Sequence, residues 1–267
     1  MLASALKIAR PLMCAYCGTE TPAIGGAAVC SNCECIAYMD REALQAKDPQ
    51  LFSDLQEMNS RLGSSDYSGA VSVYDRMIST HKDPSYLYAK ALVCIKHSNY
   101  GISNIRYDRV GFMEENTALR DAARDLELAA KQFLNSAVAA AAPDMELDKP
   151  PLGSSYAAFL SHIKLSDLRA AKYAMECINR VDSGYVGEYA QMVLESNLKR
   201  PDSAIRHAEA LARPERFSIN AFFYLAMALY DKGRYREAKS LAERLKTAIG
   251  NSSVDVLLHE IGQQLVI

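Results

Sequence analysis

Tryptophan is absent from this 267-residue chain, and histidine occurs only five times. His81, His97, His162, His207 and His259 form neither a His-Glu-x-x-His metal motif nor a triad spacing, and most simply sit at surface or satisfied helical positions. A Gly-x-Ser-x-Gly elbow and a glycine-rich phosphate loop are missing as well. The chain is therefore expected not to be an enzyme. Long apolar runs are also lacking. The longest, Ala221–Tyr230, has ten residues, whereas a bilayer span needs about 20. Charge of one sign is lacking too: a net charge of −2 gives no whole-chain attraction to nucleic acid or to an anionic membrane. With 49% hydrophobic and 23% charged residues, the composition is that of a soluble globular protein with a full-sized core.

Cysteine is what stands out. Cys14 and Cys17 form one Cys-x-x-Cys pair, Cys30 and Cys33 a second, with twelve residues between them. Two residues between paired cysteines let a tight turn point both sulfurs at one metal, and the returning chain can face the second turn to the first. Gly18 follows Cys17 where such a turn needs positive φ, and Gly25-Gly26 marks a hairpin tip midway. Cys35 adds a fifth thiol that either replaces Cys33 or packs beside it; the regular spacing favours Cys33. Because no histidine precedes His81, an all-cysteine site is expected. Cys94 and Cys177 are isolated in apolar helical contexts and read as buried small hydrophobes. No apolar signal-peptide core precedes the pairs, so reduced thiols in a cytoplasmic compartment are expected rather than disulfides. Lys7 and Arg10, with no acid in residues 1–19, have some presequence character. The ligands begin at Cys14, so a short helix leading into the module is the better reading. Residues 12–38 resemble a zinc ribbon. The resemblance implies one structural Zn2+ held by Cys14, Cys17, Cys30 and Cys33, with no open coordination position for chemistry. A rubredoxin-like module with iron at the same four sulfurs is the alternative.

The rest of the chain reads as helical and repetitive. Ala170, Ala204 and Ala238 are 34 residues apart, as are Ala174, Ala208 and Ala242, and then Cys177, Leu211 and Leu245. Small residues one turn apart let helices approach closely while the larger residue fills the core below. The unit Asn220–Leu245, with Phe222, Leu225, Ala226, Leu229, Tyr230, Gly233, Tyr235, Ala238, Ala242 and Leu245, resembles a tetratricopeptide repeat. Tyr67, Ala70, Tyr74 and Met77 form a matching half-unit upstream. Residues 97–112 lack helical periodicity and are expected to be an extended loop. Residues 113–142 are expected to be one helix with Leu119, Leu126, Ala129, Phe133 and Val138 near its buried face. Residues 252–265 read as a capping helix. The expected fold is thus all-α: a tetratricopeptide-like α-α solenoid over 41–267, with a zinc-ribbon module and its leading helix over 1–40.

The tetratricopeptide resemblance implies a scaffold whose first helices line a peptide-binding groove. The matching positions are Phe159, Tyr189, Val193, Phe223, Met227 and Tyr230. They are apolar or aromatic rather than basic, so no carboxylate clamp is expected there. They suit an apolar peptide or an amphipathic helix of a protein partner, or else they pack as core. Nucleic acid is a weaker candidate. Residues 1–38 balance Lys7 and Arg10 against Glu20 and Glu34. The span Lys199–Lys246 has eleven Lys or Arg against six acids, mostly on outward helix faces. The expectation is a non-catalytic adaptor, with a nucleic-acid-associated zinc-ribbon factor as a further alternative.

Overall fold

The computed structural model describes residues 11–22, 29–30, 32–36, 38–39, 41–103, 113–211, 219–249 and 252–265. The expected leading helix and the Gly25-Gly26 tip lie outside these residues. Three short strands open the described chain: β1 (Pro11–Cys14), β2 (Glu20–Pro22) and β3 (Tyr38–Met39). They form an antiparallel sheet in the order β2-β1-β3, with Leu12 opposite Thr21 and Cys14 opposite Tyr38. Among the described residues every element after them is a helix, and the fold is all-α.

The helices are α1 (Arg41–Lys47), α2 (Pro49–Gly63), α3 (Tyr67–Thr80), α4 (Pro84–Ser103), α5 (Met113–Met145) and α6 (Leu152–Lys164). They continue as α7 (Leu168–Val181), α8 (Tyr185–Asn197), α9 (Pro201–Leu211), α10 (Ile219–Asp231), α11 (Tyr235–Ile249) and α12 (Ser252–Leu265). From α1 to α12, each packs against the next, and α4 also packs on α6, α6 on α8, and α8 on α10. The result is a helical stack.

One turn recurs four times. Ser65, Ser166, Lys199 and Gly233 follow α2, α6, α8 and α10 with φ of +58°, +61°, +56° and +78°. After each, the next residue closes the preceding helix: the N–H groups of Asp66, Asp167, Arg200 and Arg234 donate to the carbonyls of Arg61, His162, Glu195 and Leu229 at 2.8–3.0 Å. This six-to-one bond satisfies a carbonyl that the helix end leaves free. Asp66 and Asp167 then cap the following helix by accepting from the Gly69 and Ala170 amides.

Packing follows the repeat. Ala174, Ala204, Ala208, Ala238 and Ala242 are fully buried, with Cys177, Leu211 and Leu245 beneath them. In the first copy Ala170 is half-buried and its neighbour Ala171 takes the interior place. Upstream, Ala70, Tyr74 and Met77 are buried as the repeat pattern requires. Two expectations change. Residues 97–103 are the last turns of α4 rather than loop, and 104–112 lie outside the described residues. Helix α4 shows no period because Tyr88–Cys94 is buried on every side, between α3, α5 and α6. On α5 the buried seam is Ala123, Ala130, Leu134, Ala137, Ala141 and Met145; Leu119, Leu126, Ala129, Phe133 and Val138 flank it half-buried. Buried residues from Met13 to Ala221 form one continuous apolar cluster that includes the N-terminal cysteines, and a smaller second cluster holds the last helices together.

Candidate metal centre

The two Cys-x-x-Cys turns have the same backbone geometry. In the first, the Gly18 N–H donates to the Cys14 carbonyl at 2.9 Å and the Tyr16 N–H points at Cys14 Sγ at 3.5 Å. In the second, the Glu34 N–H donates to the Cys30 carbonyl at 2.9 Å and the Asn32 N–H points at Cys30 Sγ at 3.4 Å. The residue after each pair sits in the left-handed region, Gly18 at φ +70° and Glu34 at +60°. Thr19 and Asn32 join the turns: the Asn32 side-chain amide donates to Thr19 Oγ1 at 3.2 Å, and Cys17 Sγ lies 3.3 Å from the same hydroxyl.

This pairing brings Cys14, Cys17, Cys30 and Cys33 together, all four buried and with their sulfurs within 4.8 Å of one another. Cys14 and Cys33 are 3.5 Å apart at sulfur, as are Cys17 and Cys30. A disulfide needs about 2.05 Å, and all seven cysteines are free. Four sulfurs at about 2.3 Å from one ion stand about 3.8 Å apart, so the cluster fits a metal. Hydrogen bonds from Cys14 and Cys30 hold the Cys17 thiol well below its ordinary range, whereas burial pushes Cys33 well above it. A cation at the centre would replace the shared protons and let all four ionise. Cys35 is buried beside the cluster, and its carbonyl accepts from the Cys30 N–H at 3.0 Å. It packs and is not part of the four-sulfur group.

The module is seated against the helices. Its first turn lies on α2, α3 and the start of α4. A Cβ on Gly18 would stand 2.1 Å from the Leu55 carbonyl oxygen, so only glycine permits this approach. The Tyr74 hydroxyl donates to the Tyr16 carbonyl at 2.9 Å. The Tyr16 hydroxyl donates to Asp83 at 2.8 Å, and its ring meets Tyr86 edge-on at 5.0 Å. Burial, with the Asp83 carboxylate, drives the Tyr16 phenol far above its usual range. The second turn lies on α4, α6 and α10. Lys96 donates to the Asn32 carbonyl at 3.0 Å and to its side-chain oxygen. Tyr88 donates to Glu34 at 3.2 Å, Lys164 stands 3.6 Å from the same carboxylate, and Asn220 donates to the Cys30 carbonyl at 3.1 Å. That last bond joins residues 190 positions apart.

The six residues expected along a groove divide. Phe159, Tyr189 and Val193 are 0%, 0% and 1% exposed, so they belong to the core and offer no open wall. Phe223, Met227 and Tyr230 are half-buried along α10 and pack against the C-terminal cluster. Sequence reading missed Tyr16, Asn32, Glu34, Tyr88, Lys96, Lys164 and Asn220. Only Glu34 carried a signal, since aligning the two cysteine turns places it opposite Gly18. Compared with known proteins, the chain matches no family model, no curated protein and no solved structure. Among the described residues no helix is long and apolar enough to cross a membrane.

Proposed function

We propose that this chain is a non-catalytic adaptor: a tetratricopeptide-like solenoid built around a zinc-ribbon-like module whose four cysteines hold Zn2+. The observation that carries the reading is the enclosure of the sulfur cluster. All four thiols are buried, and the two turns are tied to α2, α3, α4, α6 and α10, so a metal there braces the stack rather than meeting a substrate. The enclosure also argues against an iron centre that exchanges electrons at its surface. Free buried thiols suit a reducing, cytoplasmic compartment. The recurring left-handed turn and the 34-residue register of alanines support the tetratricopeptide likeness.

With Phe159, Tyr189 and Val193 in the core, the partner surface contracts to Phe223, Met227 and Tyr230, one face of α10, where an apolar peptide or amphipathic helix of a partner protein would lie. A phosphate-binding surface is poorly supported. Lys199, Lys232, Arg234 and Lys246 are each paired with an acid, and Lys96 and Lys164 serve the module itself. The test compares purified full-length chain with Phe223→Ala, by co-purification and by melting. The adaptor reading expects at least a tenfold loss of partner affinity at unchanged melting temperature. A loss of about 3–5 kcal/mol in stability instead places Phe223 in the core, and substrate turnover by the purified chain refutes the reading outright.

A further inference from the structure

Glu34 occupies a backbone position that glycine fills in the matching turn. It stands at φ +60° where Gly18 stands at +70°, and a side chain there is disfavoured by its Cβ. Its side chain shows what is gained. The carboxylate accepts from the Tyr88 hydroxyl at 3.2 Å and faces the Lys164 ammonium at 3.6 Å. Tyr189 and Tyr224 meet edge-on at 6.1 Å, and both phenols are raised by burial with a contribution from the Glu34 charge. The Tyr189 hydroxyl is fully buried and has no hydrogen-bond partner.

The contacts of the second turn share one polarity. Tyr88, Lys96 and Asn220 donate, Lys164 adds a positive charge, and the groups they meet are all on the module: the Glu34 carboxylate, Asn32 and the Cys30 carbonyl. Residues of α4, α6 and α10 thus surround the second turn with donors and the Lys164 cation. Such a face selects a carboxylate set in a turn.

We propose that this face is a docking site for an acidic turn of a partner protein, occupied in cis by Glu34 and kept closed by the metal at the cysteine cluster. The site rests on the reading that the four cysteines hold a metal. Removing the metal leaves two turns whose four buried thiols have lost their common centre, so the second turn loosens and the donors become available. An acidic segment of another chain then competes for them.

The experiment uses full-length protein, first assayed for bound metal, with and without a zinc chelator. The probe is a fluorescein-labelled peptide copying residues 29–36 with serine at each cysteine, followed by anisotropy. Binding is expected only after chelation. It should weaken at least tenfold when the probe carries glutamine for its glutamate, and likewise for the Lys164→Met and Tyr88→Phe chains. A metal-loaded chain that binds no probe after chelation, or binds the glutamine probe equally, overturns the proposal. A second measurement is independent of the probe. Glu34→Gly relieves the left-handed backbone, so a rise in melting temperature of the metal-loaded chain shows that the carboxylate is not a docking key, whereas a fall is expected. A chain that never holds metal fails at the first assay and overturns the functional reading beneath the proposal.

Discussion

Replacing Gly18 by alanine tests whether the cysteine module is seated on α2. Two costs add at this position. The first is conformational: at φ +70° an L-residue pays about 1–2 kcal/mol. The second is steric. The new Cβ would stand 2.1 Å from the Leu55 carbonyl oxygen and 2.8 Å from its carbon, where ordinary contact begins at 3.4 Å. Leu55 is backbone within a helix and cannot rotate aside, so the turn must lift by more than an ångström. Losing that seat adds about 2 kcal/mol, giving roughly 3–4 kcal/mol in all. Gly233 supplies the control. It has φ +78°, yet nothing lies within 4 Å of its Cβ position, so Gly233→Ala incurs the conformational cost alone. For a chain of this size each kcal/mol moves Tm by about 2–4 °C. The expected falls are therefore about 6–16 °C for Gly18→Ala and about 2–8 °C for Gly233→Ala. Calorimetry read beside circular dichroism keeps melting of the two apolar clusters apart. Equal falls for the two variants would refute the close approach and the seating drawn from it.

Tyr74→Phe removes the donor to the Tyr16 carbonyl at a fully buried site and is expected to cost about 1–3 kcal/mol in urea unfolding; a change within error would mean the bond contributes nothing. Lys90→Met is expected to cost no more than about 1.5 kcal/mol. Its ammonium pairs with the exposed Asp75 and lies over the Phe133 ring, and methionine keeps the packing of the stem. A loss several times larger would show that the pair itself holds α3 to α4. Burial holds the His162 imidazole below its ordinary pKa of 6.5. The unfolded chain thus takes up the proton more readily, and the stability this group contributes is present above about 6.5 and lost as pH falls toward the lower folded value. His162→Gln should therefore flatten the decline in stability between about pH 7.5 and 5.5, and an unchanged profile would remove this group from the account.

The cysteine cluster was legible because its spacing alone places four sulfurs in two turns, and Gly18 marked the first turn by its type. The second turn hid its geometry behind Glu34, a non-glycine at positive φ. The repeat was obscured in the same way. Gly233 announced one helix–helix turn, while Ser65, Ser166 and Lys199 adopt the same conformation without glycine. Phe159, Tyr189 and Val193 lie at positions that would line a groove if it were open. Nothing local distinguishes an open wall from a covered one when the cover comes from elsewhere in the chain, as Tyr224 of α10 does against Tyr189. The end of α4 was misread because Tyr100 and Ile102 are exposed there, so its apolar residues mark no buried face, and Tyr88–Cys94 before it is buried on every side. On α5 small alanines form the true seam, and the larger Leu119, Leu126 and Phe133 beside them drew the expected face a step away.

The central claim is the proposal that Cys14, Cys17, Cys30 and Cys33 bind one zinc ion that holds the module against the helices. Metal analysis of the purified full-length chain, with X-ray absorption at the metal edge, tests it directly. About one zinc per chain with four sulfurs at about 2.3 Å is predicted, falling to none in Cys17→Ser. Stoichiometric iron, or four thiols that react freely with alkylating reagent in a folded chain without metal, would contradict it.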